Sequence, residues 1–586
     1  MLDQLPAEIV EQILGYLPSI SAILNLSSAN RKLHKIISDT DNRVFRAFVQ
    51  TSFPSIPSRP PWREAAFDLT SRSRAWDRRA FIARECIPPL GDASREAPHR
   101  TQRFGHVTRV DSYEHEGREV VAIGAGGRLR IRSSQARTQS WTSHCSTTDD
   151  DAQTDILDVH LLRPHQARVV DGESAIIRRR NGEMIRLEAE CADNHFRVAN
   201  EYVQLGEPQC MDVSMGQDPL VAIGTTTAVQ ILPLGMEDQQ QVLPIHGLTQ
   251  TVNPDRRKGC LEFLSPSKLV LGYQYLKSKP TSTIEVFDIT ETGMIASQLA
   301  NRDDDIVHGR SRGRKAVTSL AAVESSTNSL FLSGWNSGIA SLHDLRTGQI
   351  VRDYSDNVDD DQIWSLLPIG RERFLAGSST NACLKIFDMR MDARVYTYPG
   401  RTRSNAPARS ALAKHSNPDT LTHGRARGLW QRDINIFVAP LTSFNKLPWQ
   451  PLPPQTDNRR LQRYRGSIYS LSSPSPSSSK VYAGIENHVI ELDFVNTDDV
   501  VVNRSGVADR VLDDRPILNL SCYERPRPGH ESTDTILLRK QADWQDRAVK
   551  SEDCEVGWDQ RWRLRTPSRK GWETPRHRTV MYRDRA

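Results

Sequence analysis

MLDQLPAEIVEQILGYLPSISAILNLSSANRKLHKII, residues 1–37, decides how the chain begins to fold. Leu5-Pro6 opens a helix, because proline fits a first turn, where its missing N–H costs nothing. Ile9, Ile13 and Leu17 then recur at helical spacing, and Leu14 widens the stripe. Pro18 stops that helix. Ile20, Ile23, Leu24 and Leu26, then Leu33, Ile36 and Ile37, carry the apolar pattern into two more short helices. Three short helices cannot cover this much apolar surface by themselves, so part of it is expected to face a partner. The plainer reading is a helical cap on the domain that follows.

The order LPxEI…IL.YLP is carried by Leu5, Pro6, Glu8, Ile9, Ile13, Leu14, Tyr16, Leu17 and Pro18, followed by Ile23, Leu24, Leu26, Arg31 and Leu33. With that order the stretch resembles the F-box, the helical module that docks a substrate receptor onto the Skp-type adaptor of an SCF-type ubiquitin ligase. Ala22 stands where the family often has an acidic residue, and Ser28 where it often has an apolar one. The resemblance implies adaptor binding through Leu5, Pro6, Ile9, Ile13, Leu14, Leu17, Pro18, Leu24 and Leu33. Ile9, Ile13 and Leu14 are then expected to be at least partly exposed in the isolated chain.

The chain has 586 residues, too many for one compact core. Hydrophobic residues at 37% and charged residues at 25% suit globular modules with long polar loops. No apolar run approaches the roughly 20 residues that cross a bilayer, and no segment has the order of a signal peptide. The eight cysteines form no CxxC pair, which argues against a zinc site or a disulfide framework and for reduced thiols in the cytoplasm or nucleus. A net charge of +5 is small for this length and does not by itself call for nucleic acid.

Residues 51–61 (TSFPSIPSRPP) form a proline-rich connector, and 62–87 reads as helix, with Trp62, Ala66, Leu69, Trp76 and Ala80 near one face. Beyond about residue 103 the pattern changes to paired apolar strands around small-residue turns. They are VVAIGAGGRLRIRS (120–133), 167–187, LVAIGTTTAVQILPL (220–234), 269–289, LFLSGWNSGIASLHDLRTGQI (330–350), RFLAGSSTNACLKIFDMR (373–390) and KVYAGIENHVIELDF (480–494). Further strand candidates precede several of them: ILDVHLL (156–162), QCMDVSM (209–215), AVTSLAAV (316–323), QIWSLLPI (362–369) and SIYSLSS (467–473). Most turns recur about 45–60 residues apart, near the period of a four-stranded propeller blade, and a blade needs neighbours to bury both faces.

These units resemble WD repeats. In SGWNSGIASLHDLRTG (333–348), Asn336 takes the place of the usual turn aspartate and His343-Asp344 that of the Trp-Asp pair; Phe287-Asp288 and Phe387-Asp388 hold the same strand end elsewhere. The reading is a small all-α F-box module followed by an all-β propeller of degenerate WD-repeat type. About seven blades are expected, with eight as the alternative. The boundaries are 1–50 for the F-box, 51–102 for a helical linker, 103–540 for the propeller with a polar, basic insertion at 402–428, and 541–586 for a tail rich in Trp and Arg. DINIFVAP (433–440) is a strand candidate for the blade around the insertion. SSPSPSSSK (472–480) reads as a flexible loop within a blade.

The chemistry of an enzyme is not visible. GAGG (124–127) leads into a strand rather than the helix a phosphate loop needs, and GWNSG (334–338) lacks a central serine. No cofactor or metal is expected, and no nucleophile, base and orienter set stands out. Charge is more telling. Arg128, Arg130 and Arg132 alternate on one strand face, and Arg178, Arg179 and Arg180 flank a turn in the next unit. Arg128, Arg130, Arg178 and Arg180 are the candidate substrate-binding residues, expected at the top or channel of the ring, where bidentate guanidinium groups suit a phosphorylated peptide. A solvated strand edge is the other reading. Acidic runs at 303–305 and 359–361 are candidates for a basic peptide or simply solvated loops. Together these point to a non-catalytic substrate-recognition subunit of an SCF-type ligase, its partners an adaptor, through it a cullin, and a protein substrate. The alternative is a scaffold propeller outside ubiquitin transfer.

Overall fold

The computed structural model describes residues 4–17, 19–38, 42–56, 61–78, 81–86, 107–135, 138–145, 152–167, 172–190, 195–204, 206–216, 218–235, 241–245, 248–252, 257–274, 283–297, 316–323, 329–355, 362–379, 382–389, 434–437, 467–486, 488–494, 521–523, 535–539 and 558–563. The insertion at 402–428 and both acidic runs lie outside these residues.

Five helices open the chain: α1 (Ala7–Gly15), α2 (Ile20–Ala29), α3 (Arg31–Ile37), α4 (Arg43–Ser52) and α5 (Trp62–Arg78). Pro6 stands just before α1, as expected. The Ser19 hydroxyl accepts the Ala22 N–H at 3.3 Å and the Asn30 side chain accepts the Lys32 N–H at 2.8 Å, so α2 and α3 each start on a capping residue worth about 1 kcal/mol. The sequence reading did not single out α4, yet it centres the bundle: Val44, Phe45, Phe48 and Val49 lie buried against Val10, Leu14, Ile23, Leu33 and Ile37. The first half of α5 joins that core through Ala66 and Leu69.

Seven sheets follow, spanning 108–145, 156–202, 208–251, 257–296, 317–355, 363–437 and 470–493. They are numbered here as blades 1 to 7. The strands of each pair antiparallel from the first strand outward, except that Gln241–Val242, within the blade 3 span, pairs parallel with His195–Tyr202 at the edge of blade 2. The first strands of successive blades touch one another, and that of blade 7 touches that of blade 1, which closes a seven-bladed ring. Closure uses a strand from the N-terminal side: Ile82–Glu85 pairs antiparallel with His488–Asp493 as the outer strand of blade 7. The stretch 62–87 is therefore helical only to Arg78 and then turns into the ring. In blade 6, Ile434–Phe437 pairs with Cys383–Asp388, the strand expected from DINIFVAP. A separate unit contains Thr535–Arg539 paired antiparallel with Trp558–Arg563; the latter is strand within the stretch read as a tail.

The seams between blades have one recurring solution. Gly124, Gly224, Gly272, Gly334, Gly377 and Gly484 occupy the same register on the second strands of six blades. A Cβ at Gly377 would stand 2.7 Å from Ile468 of the next blade, and one at Gly484 would stand 2.5 Å from the Thr108 carbonyl. Only glycine lets the strands approach so closely. In blade 2 that position is Arg178, opposite Asp158. Its guanidinium reaches the next blade too, donating to the Pro208 carbonyl at 3.1 Å while pairing with Asp158 at 2.5 Å.

Candidate functional site

Two surfaces carry the chemistry. The first is the outer face of α1. Its inward residues are Val10 and Leu14, the latter 0% exposed, whereas Ile9, Ile13 and Tyr16 are 43%, 37% and 75% exposed. Positions 9, 13 and 16 share one helical face, so a contiguous apolar strip is open to solvent. Pro6 is exposed beside it, and Leu5, Leu17 and Leu24 are half-buried against the bundle core. Leu14 and Leu33 were expected to bind the adaptor but are buried inside the bundle; their stripe position faces α4 rather than solvent. Pro18 lies outside the described residues. Tyr16 belongs to the strip although only the motif match, not the site reading, contained it.

The second surface is set by how the helices attach. Arg72 of α5 is 2% exposed and donates from Nη1 to the Pro476 and Ser478 carbonyls at 2.6 and 2.7 Å. Burial lowers its pKa to about 10, which leaves it charged at neutral pH. Trp76 sits between the Arg72 and Arg373 guanidinium groups, 5.0 and 5.1 Å from its ring, and meets Phe494 edge-on at 5.9 Å. The sequence suggests a flexible loop at 472–480; instead the turn 473–479 is held by its own hydrogen bonds and by Arg72. Gly370, in the turn after the first strand of blade 6, lies against Ser55 and Ile56. The helices thus dock at the end of the ring formed by turns between first and second strands. Turns between second and third strands fall at the opposite end, since antiparallel strands alternate direction.

That opposite end holds the candidate arginines unequally. Arg128 follows the turn 126–127, and Arg180 lies in the adjoining turn of blade 2 with its guanidinium 3.5 Å from Asp155. The two turns touch: Arg179 donates to the Gly127 carbonyl at 3.2 Å. Arg130 is half-buried on the face it shares with Arg132. Arg132 is buried in the closing seam, donating to Glu491 at 3.2 Å, Glu119 at 2.7 Å and Tyr482 at 2.5 Å. Burial alone would raise the Glu119 carboxyl, but Lys480 and Arg132 outweigh it and hold it low. Arg178, expected at the top or channel, is 5% exposed and its donors are taken up in the seam. The sequence reading missed Arg109, Trp364 and Tyr469. Arg109 and Trp364 lie at the starts of the first strands of blades 1 and 6, and Tyr469 immediately precedes that of blade 7. Arg109 spans three blades by donating to the Leu157 carbonyl at 2.7 Å and the Tyr469 carbonyl at 2.5 Å, and the Trp364 and Tyr469 rings meet at 6.1 Å and 86°.

The F-box domain family matches residues 2–45. Residues 2–45 are an F-box domain. The match spans α1 to α3 and the start of α4, the helices whose outer strip is open. No curated protein sequence matches the chain. Among solved structures, the computationally designed Ika8 protein is similar at 13% identity and a TM-score of 0.36, over 67% of this chain and 96% of its own. Raptor from Chaetomium thermophilum is similar at 13% identity and a TM-score of 0.42, over 81% of this chain and 39% of its own. The F-box is followed, through α5, by a seven-bladed ring.

Proposed function

We propose that this chain is the substrate-recognition subunit of an SCF-type E3 ubiquitin ligase. The observation that carries the reading is the F-box strip Ile9, Ile13 and Tyr16, open on helices whose other side is fixed to one end of the propeller. An adaptor covering that strip would bring a cullin and a charged E2. The substrate would bind the opposite end, at Arg128, Arg130 and Arg180 with Arg109 and the Trp364–Tyr469 pair at the channel mouth. Arg178 supports that end from within the seam. A phosphorylated peptide suits this surface, since each phosphate brings about −1.5 to −2 charges to planar guanidinium forks. The chain performs no bond chemistry in this reading. It raises the effective concentration of a substrate lysine near the E2, and a fixed joint keeps that concentration high. Such a subunit works in the cytoplasm or nucleus.

Affinity purification of the full chain from cells tests the reading. Adaptor and cullin are expected to co-purify, and the double substitution L5A/P6A is expected to lose both while the ring stays folded. Undiminished recovery with L5A/P6A would overturn the F-box docking and favour a scaffold outside ubiquitin transfer.

A further inference from the structure

The turn SPSPSSS, residues 473–479, joins the first two strands of blade 7 and takes part in neither docking surface. It is held from three sides. Internally, the Ser473 hydroxyl donates to the Ser475 and Lys480 carbonyls at 3.1 and 2.9 Å, and the Ser478 N–H donates to the Ser475 carbonyl at 3.0 Å. Toward blade 1, the Glu114 N–H donates to the Pro474 carbonyl at 2.9 Å, and the Ser475 hydroxyl donates to Glu114 Oε2 at 3.2 Å. Toward α5, the Pro476 and Ser478 carbonyls receive the Arg72 guanidinium. One seven-residue turn is thus the polar clasp on α5, beside the packing of Ala75 and Trp76 into the ring's core.

The turn contains two Ser-Pro dipeptides, the sequence that proline-directed kinases take. The Ser473 hydroxyl is spent inside the turn. The Ser475 hydroxyl is at the surface, in a half-buried residue, facing a carboxylate. We propose that Ser475 is a phosphorylation site and that its phosphate opens the clasp between the F-box helices and the propeller. In the transfer, Ser475 Oγ attacks the γ-phosphorus of a magnesium-bound nucleoside triphosphate. The Oγ–P bond forms as the bond to the β,γ-bridging oxygen breaks, the hydroxyl proton passes to the kinase's base, and the nucleoside diphosphate leaves.

The product cannot re-form the closed turn. The hydroxyl that donated to Glu114 becomes an acceptor-only dianion beside the same carboxylate. Glu119 and Asp68 add further negative charge around Glu114, which burial already keeps above the usual carboxylate range. Two cations are near: Arg72, whose Nη1 is engaged by the Pro476 and Ser478 carbonyls, and Lys480, held by Glu119 at 2.8 Å with Glu491 at 3.9 Å. Phosphate placed against carboxylates disrupts by like-charge repulsion. The displaced turn takes the Pro476 and Ser478 carbonyls away from Arg72, and α5 keeps only the packing of Ala75 and Trp76, which loosens its hold. If the ligase reading holds, modification lowers ubiquitin transfer while adaptor and substrate still bind, because only the distance between them is released.

The test uses the full chain in two forms. One is treated with a proline-directed kinase and magnesium ATP, and the other carries phosphoserine introduced at 475 during translation. Mass spectrometry should find phosphate on Ser475 in the kinase-treated chain and none there in S475A. Hydrogen exchange over 66–78 and 473–480 should accelerate at least tenfold in both phosphorylated forms and stay unchanged over 317–355. Absence of phosphate at Ser475 under saturating kinase overturns the site. Unchanged or slower exchange in either phosphorylated form overturns the opening. Adaptor capture is followed on the same samples: its failure with unmodified protein would strike the F-box reading and leave the exchange result standing.

Discussion

The seams of the ring and the outer face of α1 are built from similar apolar side chains and treat them in opposite ways. At six seams a glycine lets the next blade close to contact distance, and at the seventh Arg178 fills the gap and gives its charge to Asp158 and a carbonyl. On α1, Val10 and Leu14 go inward while Ile9, Ile13 and Tyr16 stay outside. On the ring, exposed Val198, Val203 and Leu243 lie on or just past the paired edge strands of blade 2, and exposed Met215, Ile295 and Val351 stand singly on different blades. Scattered exposure of that kind is ordinary, whereas a strip along one helix face marks an interaction surface. The lesson is that the chain seals the faces it uses internally and leaves open the face meant for a partner.

The largest effect should come from blocking a sealed seam. G377V puts a side chain where even a Cβ would stand 2.7 Å from Ile468, so overpacking should cost about 3 kcal/mol or more. A melting scan should show a clear loss of stability, or the protein should not accumulate folded. Wild-type melting of G377V would mean that the seam is looser than described.

Next in size is the joint between the two regions. R72A leaves the Pro476 and Ser478 carbonyls without their donor and removes the cation from the Trp76 face. A loss of about 2–3 kcal/mol is expected, localised to α5. Limited proteolysis should cut between F-box and ring at least tenfold faster, with the ring itself intact. Equal cleavage rates would show that the helices are held by other contacts.

The smallest effect concerns the channel wall and depends on pH. Burial pushes Asp212 up to about 6, opposed by His160 and by hydrogen bonds from the Phe263 and Val213 N–H groups. Asp111 adds to the rise, and Glu262 beside it is itself pushed up by burial and by Asp212. A carboxyl whose folded pKa exceeds its unfolded value of about 3.9 binds protons more tightly in the native state. Its stabilising contribution is complete below that value and is lost as pH rises through 6. D212N, which removes the charge, should therefore melt about 1–3 °C above wild type at pH 7.5 and show a clearly smaller gain at pH 4.5. A gain of the same size at both pH values would mean that the carboxylate charge is not what costs stability.

Much of this architecture was legible because burial writes itself into sequence. All seven second-and-third-strand hairpins were visible, since strands such as 220–225 and 373–378 are apolar on both faces. The outer strands were not. Thr138–Cys145 is polar and mostly exposed, so pairing with its neighbour, not composition, makes it a strand. Ile82–Glu85 was hidden because its partner is about 400 residues away. The helical spacing of Ile9 and Ile13 was correct for the open strip, but spacing alone could not tell which side of α1 Leu14 takes, because α4 had not been placed. The arginine cluster shows the same limit. Alternation put Arg128, Arg130 and Arg132 on one face, yet only Glu119, Glu491 and Tyr482 across the closing seam reveal that Arg132 is a fastener.

The direct test of the account is the affinity of a purified Skp-type adaptor for the full chain and for I9E/I13E, read by calorimetry beside a melting scan. Wild type should bind one to one. The variant should bind at least 100-fold more weakly, about 2.7 kcal/mol, with its melting temperature lowered by a few degrees at most, because both side chains are partly open to water. Undiminished binding by I9E/I13E, or no binding by wild type, would contradict the claim that this open strip is where the adaptor docks.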